Sequence, residues 1–415
     1  MLKRLLFLAA LCTLSVASFA QITWGNGRYA QKTFGVQVTP NVYYGKNTNY
    51  LGLQDSLFVD IYEPTNDPGT TRPLLILAHG GSFLTGTRLA PDVVYLCNEF
   101  AKRGYVVVSM KYRLGINVFA ASLKSELYKA VWRGQQDGKA VTRFFRKSIA
   151  NGNPYRISGN HIIVGGISAG AVLGAYSCFL NTPNETPALV DTVAIGGIEG
   201  NTGNAGFSSA AIGVVGACGA VGDVSILQNQ PSKFFVSVHG TADQTVPYGA
   251  GYYRSNNLNI EILYGSKSID SAAAIYGNPH LLHTFYGQGH VPWNNAAGAF
   301  VNQTYMDTTE TTFQVFLSAR LAPVAVNDLQ NALKASVYPN PATDQLNVRF
   351  ELDQPQAYTV RITDILGKSV AERKVATQAG TQNQIFNVDE LNAGLYLYQI
   401  TTENGSSSTG KFMVK

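Results

Sequence analysis

Between Tyr43 and Ala319 the chain alternates short apolar runs with longer stretches of helical period, and that rhythm leaves few folds open. SLFVDIYEP reads as a strand. RPLLILAHGG is a near-continuous apolar run ending in glycines, the pattern of a parallel strand buried on both faces. PDVVYLCNEFAKRG follows with helical period, with Pro91 in its first turn and Gly104 just past its end. YVVVSMKYR is the next strand. SELYKAVWRGQQDGKAVTRFFRKSI then reads as a long amphipathic helix with Ala130, Val131, Ala140, Val141 and Phe144 on or near one face. HIIVGGIS, AAIGVVGAC, KFFVSVHG and HTFYG supply further strands. This order predicts an α/β domain: a mostly parallel sheet covered by helices on both sides. Functional groups in such sheets gather beyond the carboxyl ends of the strands.

The rhythm changes near Leu321. LAPVAVNDLQNALKAS carries no strong period and reads as a linker. Beyond it the strands alternate: Leu346, Val348, Phe350 and Leu352 point one way, as do Tyr358, Val360 and Ile362. GLYLYQITTENGSSSTGKFMVK reads as a closing hairpin. The expected unit is a small all-β sandwich, separate from the parallel sheet.

At the other end, Lys3 and Arg4, the apolar run Leu5 to Leu11, and the small residues Ser18 and Ala20 form the pattern of a cleaved export signal. The run is too short to span a bilayer comfortably. No other stretch is long and apolar enough, so no integral membrane segment is expected. The reading by segment is therefore a signal peptide (1–20), an α/β domain (21–321), a linker (322–334) and a β-sandwich (335–415). Removing the signal lowers the formal charge from +5 to about +3. No block of basic residues with interleaved aromatics occurs, which argues against nucleic acid as a partner. Cys97, Cys178 and Cys218 remain after cleavage, an odd number: either one disulfide forms with a thiol left over, or all three are buried and inert. No CxxC pattern points to zinc.

Gly166-Ile167-Ser168-Ala169-Gly170 is a G-x-S-x-G sequence between a predicted strand and a predicted helix. In a strand-to-helix turn that sharp the residues two before and two after the serine nearly touch, and only glycine readily avoids a clash there. Three more features join it. His79-Gly80-Gly81-Ser82-Phe83 follows the LLILA strand with little side-chain bulk, so its N–H groups and that of Ala169 are free to face a developing oxyanion. HGTADQTVPY places Asp243 just after a strand, and GQGHVPW places His290 in a loop after the last one. The order Ser168, Asp243, His290 is that of a nucleophile, an orienting acid and a general base.

LFVDIYEP, HGGSF, KYRLG, GGISAG, HGTADQTVPY and GHVPW together resemble the carboxylesterase and lipase branch of the α/β-hydrolase fold, over residues from about Gln54 to Arg320. The resemblance implies Ser168 as nucleophile, His290 as general base and then acid, and Asp243 as its orienting partner. It implies Gly81, Ser82 and Ala169 as oxyanion donors, with Ser82 standing where many relatives have a third glycine. It implies no metal or organic cofactor. YPNPATDQLNV, ITDILGKSV, LNAGLYLYQI and KFMVK in turn resemble the C-terminal sorting domain of the type IX secretion system. This implies a partner in that machinery and a protein exported through periplasm and outer membrane, then released or surface-attached. A carbohydrate-binding sandwich fits the strand alternation equally.

The remaining candidates read as follows. Phe83, Glu199 and Trp293 are candidates for the substrate pocket, Glu199 lying in the Gly/Asn-rich stretch GGIEGNTGNAGFSSA. His79 sits in the glycine turn and reads as structural, His239 ends a strand and reads as hydrogen-bonding rather than catalytic, and the pair His280 and His283, which lacks a third metal ligand, reads as structural. Asp223 is the rival acid. The expected function is a secreted serine carboxylesterase acting through an acyl-enzyme, with acetyl or feruloyl esters of polysaccharides as attractive substrates. A lipase, polyesterase or peptidase on the same fold is the alternative, and a non-catalytic surface binding protein the alternative from another class.

Overall fold

The structure, a computed structural model, describes residues 29–182, 185, 190–255, 258–295, 299–321, 333, 335–364, 368–377, 379–403 and 407–415. The predicted signal peptide and nearly all of the predicted linker lie outside them. The chain divides into two compact units, Met1–Ala322 and Pro323–Lys415.

The first unit contains strands β1 (Gly35–Thr48), β2 (Gln54–Thr65), β3 (Arg72–Ala78), β4 (Val106–Met110), β5 (Ile157–Ile167), β6 (Gly213–Ala217), β7 (Ala220–Val221), β8 (Phe234–Gly240), β9 (Ala250–Ser255), β10 (Leu258–Gly265) and β11 (His280–Phe285). Its helices are α1 (Pro91–Ala101), α2 (Leu123–Ala150), α3 (Ala169–Phe179), α4 (Ser266–Tyr276) and α5 (Gln303–Leu321). Eight strands form one sheet in the order β1-β2-β4-β3-β5-β6-β8-β11. β1, β2 and β4 pair antiparallel, and every pair from β4 to β11 is parallel.

Strand β3 explains why both faces had to be covered. All seven of its residues are buried. Leu74, Ile76 and Ala78 enter the core on one face, where α2 and α3 pack, while Leu75 and Leu77 enter the core that α1 and α5 cover. Each such side chain contributes roughly 1.5–3 kcal/mol on burial, so neither face tolerates water. Pro91 opens α1 and Gly104 follows its end with φ 97°, as the sequence suggested.

Helix α2 departs from the amphipathic reading. Ser122 caps it, accepting from the Ser125 N–H at 3.2 Å. Ala130, Ala140 and Val141 face the core, but Trp132, Gln135, Gln136, Asp137, Lys139 and Arg143 are buried as well. The Gly/Asn-rich stretch lies over this polar side. Trp132 Nε1 and Gln136 Nε2 both donate to the Gly197 carbonyl, Gln135 Nε2 to Ile198, and an Arg143 guanidinium nitrogen to Glu199. A loop without side-chain bulk thus exposes its carbonyls to the helix, and the helix supplies the donors.

The second unit holds β12 (Ser336–Tyr338), β13 (Gln345–Leu352), β14 (Gln356–Asp364), β15 (Ser369–Thr377), β16 (Gly380–Asn387), β17 (Gly394–Thr402) and β18 (Ser407–Val414). They form two antiparallel sheets, β12-β13-β16 and β15-β14-β17-β18. Leu346, Val348, Phe350 and Leu352 from one sheet meet Tyr358, Val360 and Ile362 from the other in a single core, the inward set that the alternation predicted. Among the described residues no helix is long and apolar enough to cross a membrane.

Candidate active site

Ser168 sits between β5 and α3 with φ 54° and ψ −118°, a backbone conformation that most residues avoid. The flanking glycines have one common cause. A Cβ at Gly166 would stand 2.1 Å from the carbonyl oxygen of Ala78, and one at Gly170 would stand 2.0 Å from the same atom. Both positions therefore crowd the end of β3, rather than each other. The turn lifts Ser168 to the carboxyl edge of the sheet, where three more loops converge.

The loop after β11 brings His290 over Ser168: Oγ lies 2.8 Å from Nε2. The loop after β8 brings Asp243 to the far side of the ring, with Oδ2 2.6 Å from Nδ1. The Asp243 side chain is fully enclosed, that of His290 18 % exposed. Oδ1 of Asp243 accepts from the backbone N–H groups of Thr245 and Val246 at 2.8 and 2.9 Å. Burial alone would raise this carboxyl's pKa, but hydrogen bonds from His239 and His290 outweigh it and hold the group well below the usual carboxylate range. Because a carboxylate only accepts, Nδ1 of His290 carries a proton, and Nε2 is left to accept from the serine.

The third loop is His79 to Thr85. Gly81, Ser82 and Phe83 all have positive φ, at 114°, 54° and 61°. Gly80 lies so close to the elbow that a methyl group there would be 3.3 Å from Cβ of Ser168. Among the described residues no backbone carbonyl engages the N–H groups of Gly81, Ser82 or Ala169. The loop is held from behind: the His79 ring stacks on Tyr112 at 4.4 Å, and the Tyr112 hydroxyl donates to the His79 carbonyl. The next residue, Arg113, is locked to buried Asp137 at 2.9 Å. These contacts give the KYRLG motif its place in the fold.

A cavity of about 60 Å³ opens beside Ser168. Phe83, Val131, Val172, Val221, Val246 and Leu263 give it apolar walls, and Tyr128, Tyr176 and Glu261 add polar groups. The Tyr128 hydroxyl donates to Glu261 at 3.2 Å, and Lys124 pairs with the same carboxylate.

Of the three pocket candidates, only Phe83 lines this cavity. Glu199 lies in a separate, open depression with Asn181 and Phe207, its carboxylate bound by Lys139 at 2.9 Å and Arg143 at 3.0 Å. It neutralises two cations that the helix α2 buries. Trp293 is fully buried, donates to Asp92 at 3.2 Å, and accepts at its carbonyl from Val301 and Asn302. It anchors the loop of His290 and forms no pocket wall. Asp223 accepts from the Ser225 N–H and caps a short 3-10 turn, so Asp243 and not Asp223 meets His290. His280 and His283 lie on β11; the His280 ring contacts the Asn278 carbonyl and that of His283 packs edge-on against Phe285.

Cys97, Cys178 and Cys218 are all buried and free. Sγ of Cys218 stands with Asp243 and His290 within 4.8 Å, a trio that resembles a metal donor set. Burial pushes the Cys218 thiol up to about 12, so it is neutral, while the other two groups are hydrogen-bonded to each other. Sequence reasoning missed the polar trio Tyr128, Tyr176 and Glu261, none of which belongs to a motif. His239, read from the sequence as hydrogen-bonding rather than catalytic, directs Nε2 at Asp243 Oδ2 from 3.1 Å.

A mostly parallel sheet crossed by helices on both faces, with a strained serine at the β5–α3 elbow, is an α/β-hydrolase fold, and an all-β sandwich follows it. Residues 59–229 match the family model described as BD-FAE, and residues 336–415 that of the Secretion system C-terminal sorting domain. The first unit thus carries a segment that matches an α/β-hydrolase esterase model, and the second one that matches a secretion sorting-domain model. Carboxylesterase 3B of Mus musculus is 33 % identical over 129 residues, 31 % of this chain and 21 % of that protein. Esterase E4 of Myzus persicae is 28 % identical over 134 residues, covering 31 % and 22 %. The chain spans less than a quarter of the length of these relatives. Among solved structures, Thermogutta terrifontis esterase 2 phosphorylated by paraoxon superposes with a TM-score of 0.48 at 19 % identity, over 69 % of this chain and 95 % of that one.

Proposed function

We propose that the chain is an exported serine carboxylesterase. The observation that carries this reading is the relay from Ser168 through His290 to Asp243, with hydrogen bonds of 2.8 and 2.6 Å, at the edge of an apolar cavity. Ser168 Oγ attacks the ester carbonyl as its proton passes to Nε2 of His290. Negative charge then develops on the carbonyl oxygen, and the N–H of Ala169, with that of Gly81 or Ser82, is placed to receive it. The imidazolium returns its proton to the leaving alcohol, and an acyl-enzyme remains. Water, activated by His290, releases the acid.

The apolar walls suit an acyl group, and acetyl or feruloyl esters of polysaccharides are the proposed substrates. The sorting domain supports export through the type IX machinery and across the outer membrane, followed by release or surface attachment. Initial rates on esters running from acetyl through feruloyl to long acyl chains, for the wild type beside Ser168→Ala, test the reading. Substantial rates that vanish in the variant are expected. Cleavage of peptides but not esters would instead make the chain a peptidase on this fold, and no cleavage of either would make it a binding protein.

A further inference from the structure

Asp243 is contacted by two histidines, and the relay uses only one of them. His239, fully buried near the end of β8, directs Nε2 at Oδ2 of Asp243 and at the Val246 carbonyl, both 3.1 Å away. Its Nδ1 lies 2.9 Å from the hydroxyl of Ser266, the first residue of α4. The ring of Tyr248 packs edge-on against it at 5.7 Å.

These neighbours fix where the proton is. A carboxylate and a backbone carbonyl can only accept, so the nitrogen facing both must carry a hydrogen. Ser266 can donate or accept, so the other nitrogen is satisfied whether the ring is neutral or charged. The donor toward Asp243 is therefore present in either state. Oδ2 receives His239 on one side and His290 on the other, while Oδ1 is occupied by the N–H groups of Thr245 and Val246. The carboxylate has no unfilled direction in which to turn.

We propose that His239 is a positioning residue for the relay: its Nε2–H holds Oδ2 of Asp243 at His290 and shares the carboxylate's charge. This rests on the triad assignment above. Without that donor, Oδ2 interacts with His290 alone, and its undivided charge favours the imidazolium. Two effects follow. The limiting rate falls because the carboxylate is less well aimed, and the acid limb of the rate profile moves to higher pH because His290 holds its proton longer.

The experiment is the pH profile of kcat/KM for the full chain, its Ser168→Ala variant, His239→Phe and His239→Gln, with thermal unfolding of each as a check on folding. His239→Phe keeps a ring and loses the donor. It should lose about tenfold or more in kcat at nearly unchanged KM, the loss of one hydrogen bond to a charged group, with its acid limb displaced upward. His239→Gln returns an N–H at the position of Nε2 and should recover most of the rate and the wild-type limb. A folded His239→Phe variant with wild-type rate and limb would overturn the proposal, and so would a glutamine variant as impaired as the phenylalanine one. If the phenylalanine variant does not fold, Ser266→Ala frees the ring from its far side, and a smaller shift in the same direction is expected. An unshifted limb there would count against the proposal equally. Wild-type hydrolysis that does not depend on Ser168 would remove the triad itself, and this inference with it.

Discussion

At the scale of single residues, the site turns on keeping one buried carboxylate charged. Enclosure opposes the charge on Asp243, and donated hydrogen bonds from His239, His290 and the backbone overcome it. Asp243→Asn should lower kcat by about three to four orders of magnitude, because an amide no longer dictates the histidine tautomer. Asp223→Asn, altering only a turn cap, should stay within about twofold of wild type. Single-turnover rates on an activated ester would separate the two, and the opposite ranking would move the acid to Asp223. The same shift has a stability consequence. A carboxyl whose pKa is depressed in the folded state stabilises the fold above its unfolded value, about 3.9, and loses that contribution as pH falls toward the folded value. The stability gap between wild type and Asp243→Asn should therefore close as the pH drops below about 4. That Ser168, Asp243 and His290 meet was legible because motif, chain order and strand ends agreed. Glu199 and Trp293 were misplaced because nearness along the chain carried the expectation. Glu199 faces two helix cations some sixty residues earlier, and Trp293 turns into the core beside Asp92.

At the scale of elements, the walls of the cavity come from pieces the sequence pattern could not assemble. β5, β6 and β8 announce themselves as apolar runs, since a parallel strand needs apolar residues on both faces. The hairpin β9–β10 has no such signature: it pairs beyond β8 with the two-residue strand β7, outside the main sheet. Yet it supplies Tyr253, Glu261 and Leu263 to the cavity, opposite Val131 of α2 and Val172 of α3. Helix α2 therefore has two tasks. Its middle fastens the Gly/Asn-rich stretch through carbonyls, and its first turns present Leu127, Tyr128 and Val131 to the cavity. Because Val131 lines the cavity beside Ser168, added bulk on that wall must be felt by the substrate. Val131→Phe should leave acetyl ester hydrolysis within a few-fold of wild type and lower kcat/KM on larger acyl groups by about tenfold or more. The ratio of the two constants is the measurement. Equal losses on all esters would mean that the acyl group lies elsewhere and that the substitution merely perturbs the helix.

At the scale of the whole molecule, the chain holds two complete cores, and each draws on its own stretch of sequence. The two clusters flanking the parallel sheet use residues up to Leu321, while the sandwich core runs from Ala342 to Val414. The proposed catalytic groups belong to the first: Ser168, Asp243 and His290 all precede residue 322. Nor does either unit depend on a covalent staple, since Cys97, Cys178 and Cys218 are unpaired and buried, with burial raising each thiol's pKa. A unit with its own apolar core and no shared disulfide should fold alone. Ending the chain within residues 322–334 should therefore leave kcat/KM and the melting temperature of the first unit nearly unchanged, whereas the exported fraction should collapse. In the full chain, calorimetry should resolve one transition that coincides with the shortened protein and a second that disappears with the sandwich. Thiol titration supplies an independent arm: the three cysteines should react only after unfolding, and a reductant should not move either transition. A melting temperature lowered by ten degrees or more on truncation, equivalent to about 6 kcal/mol in a domain of this size, would mean that the sorting unit also braces the hydrolase unit.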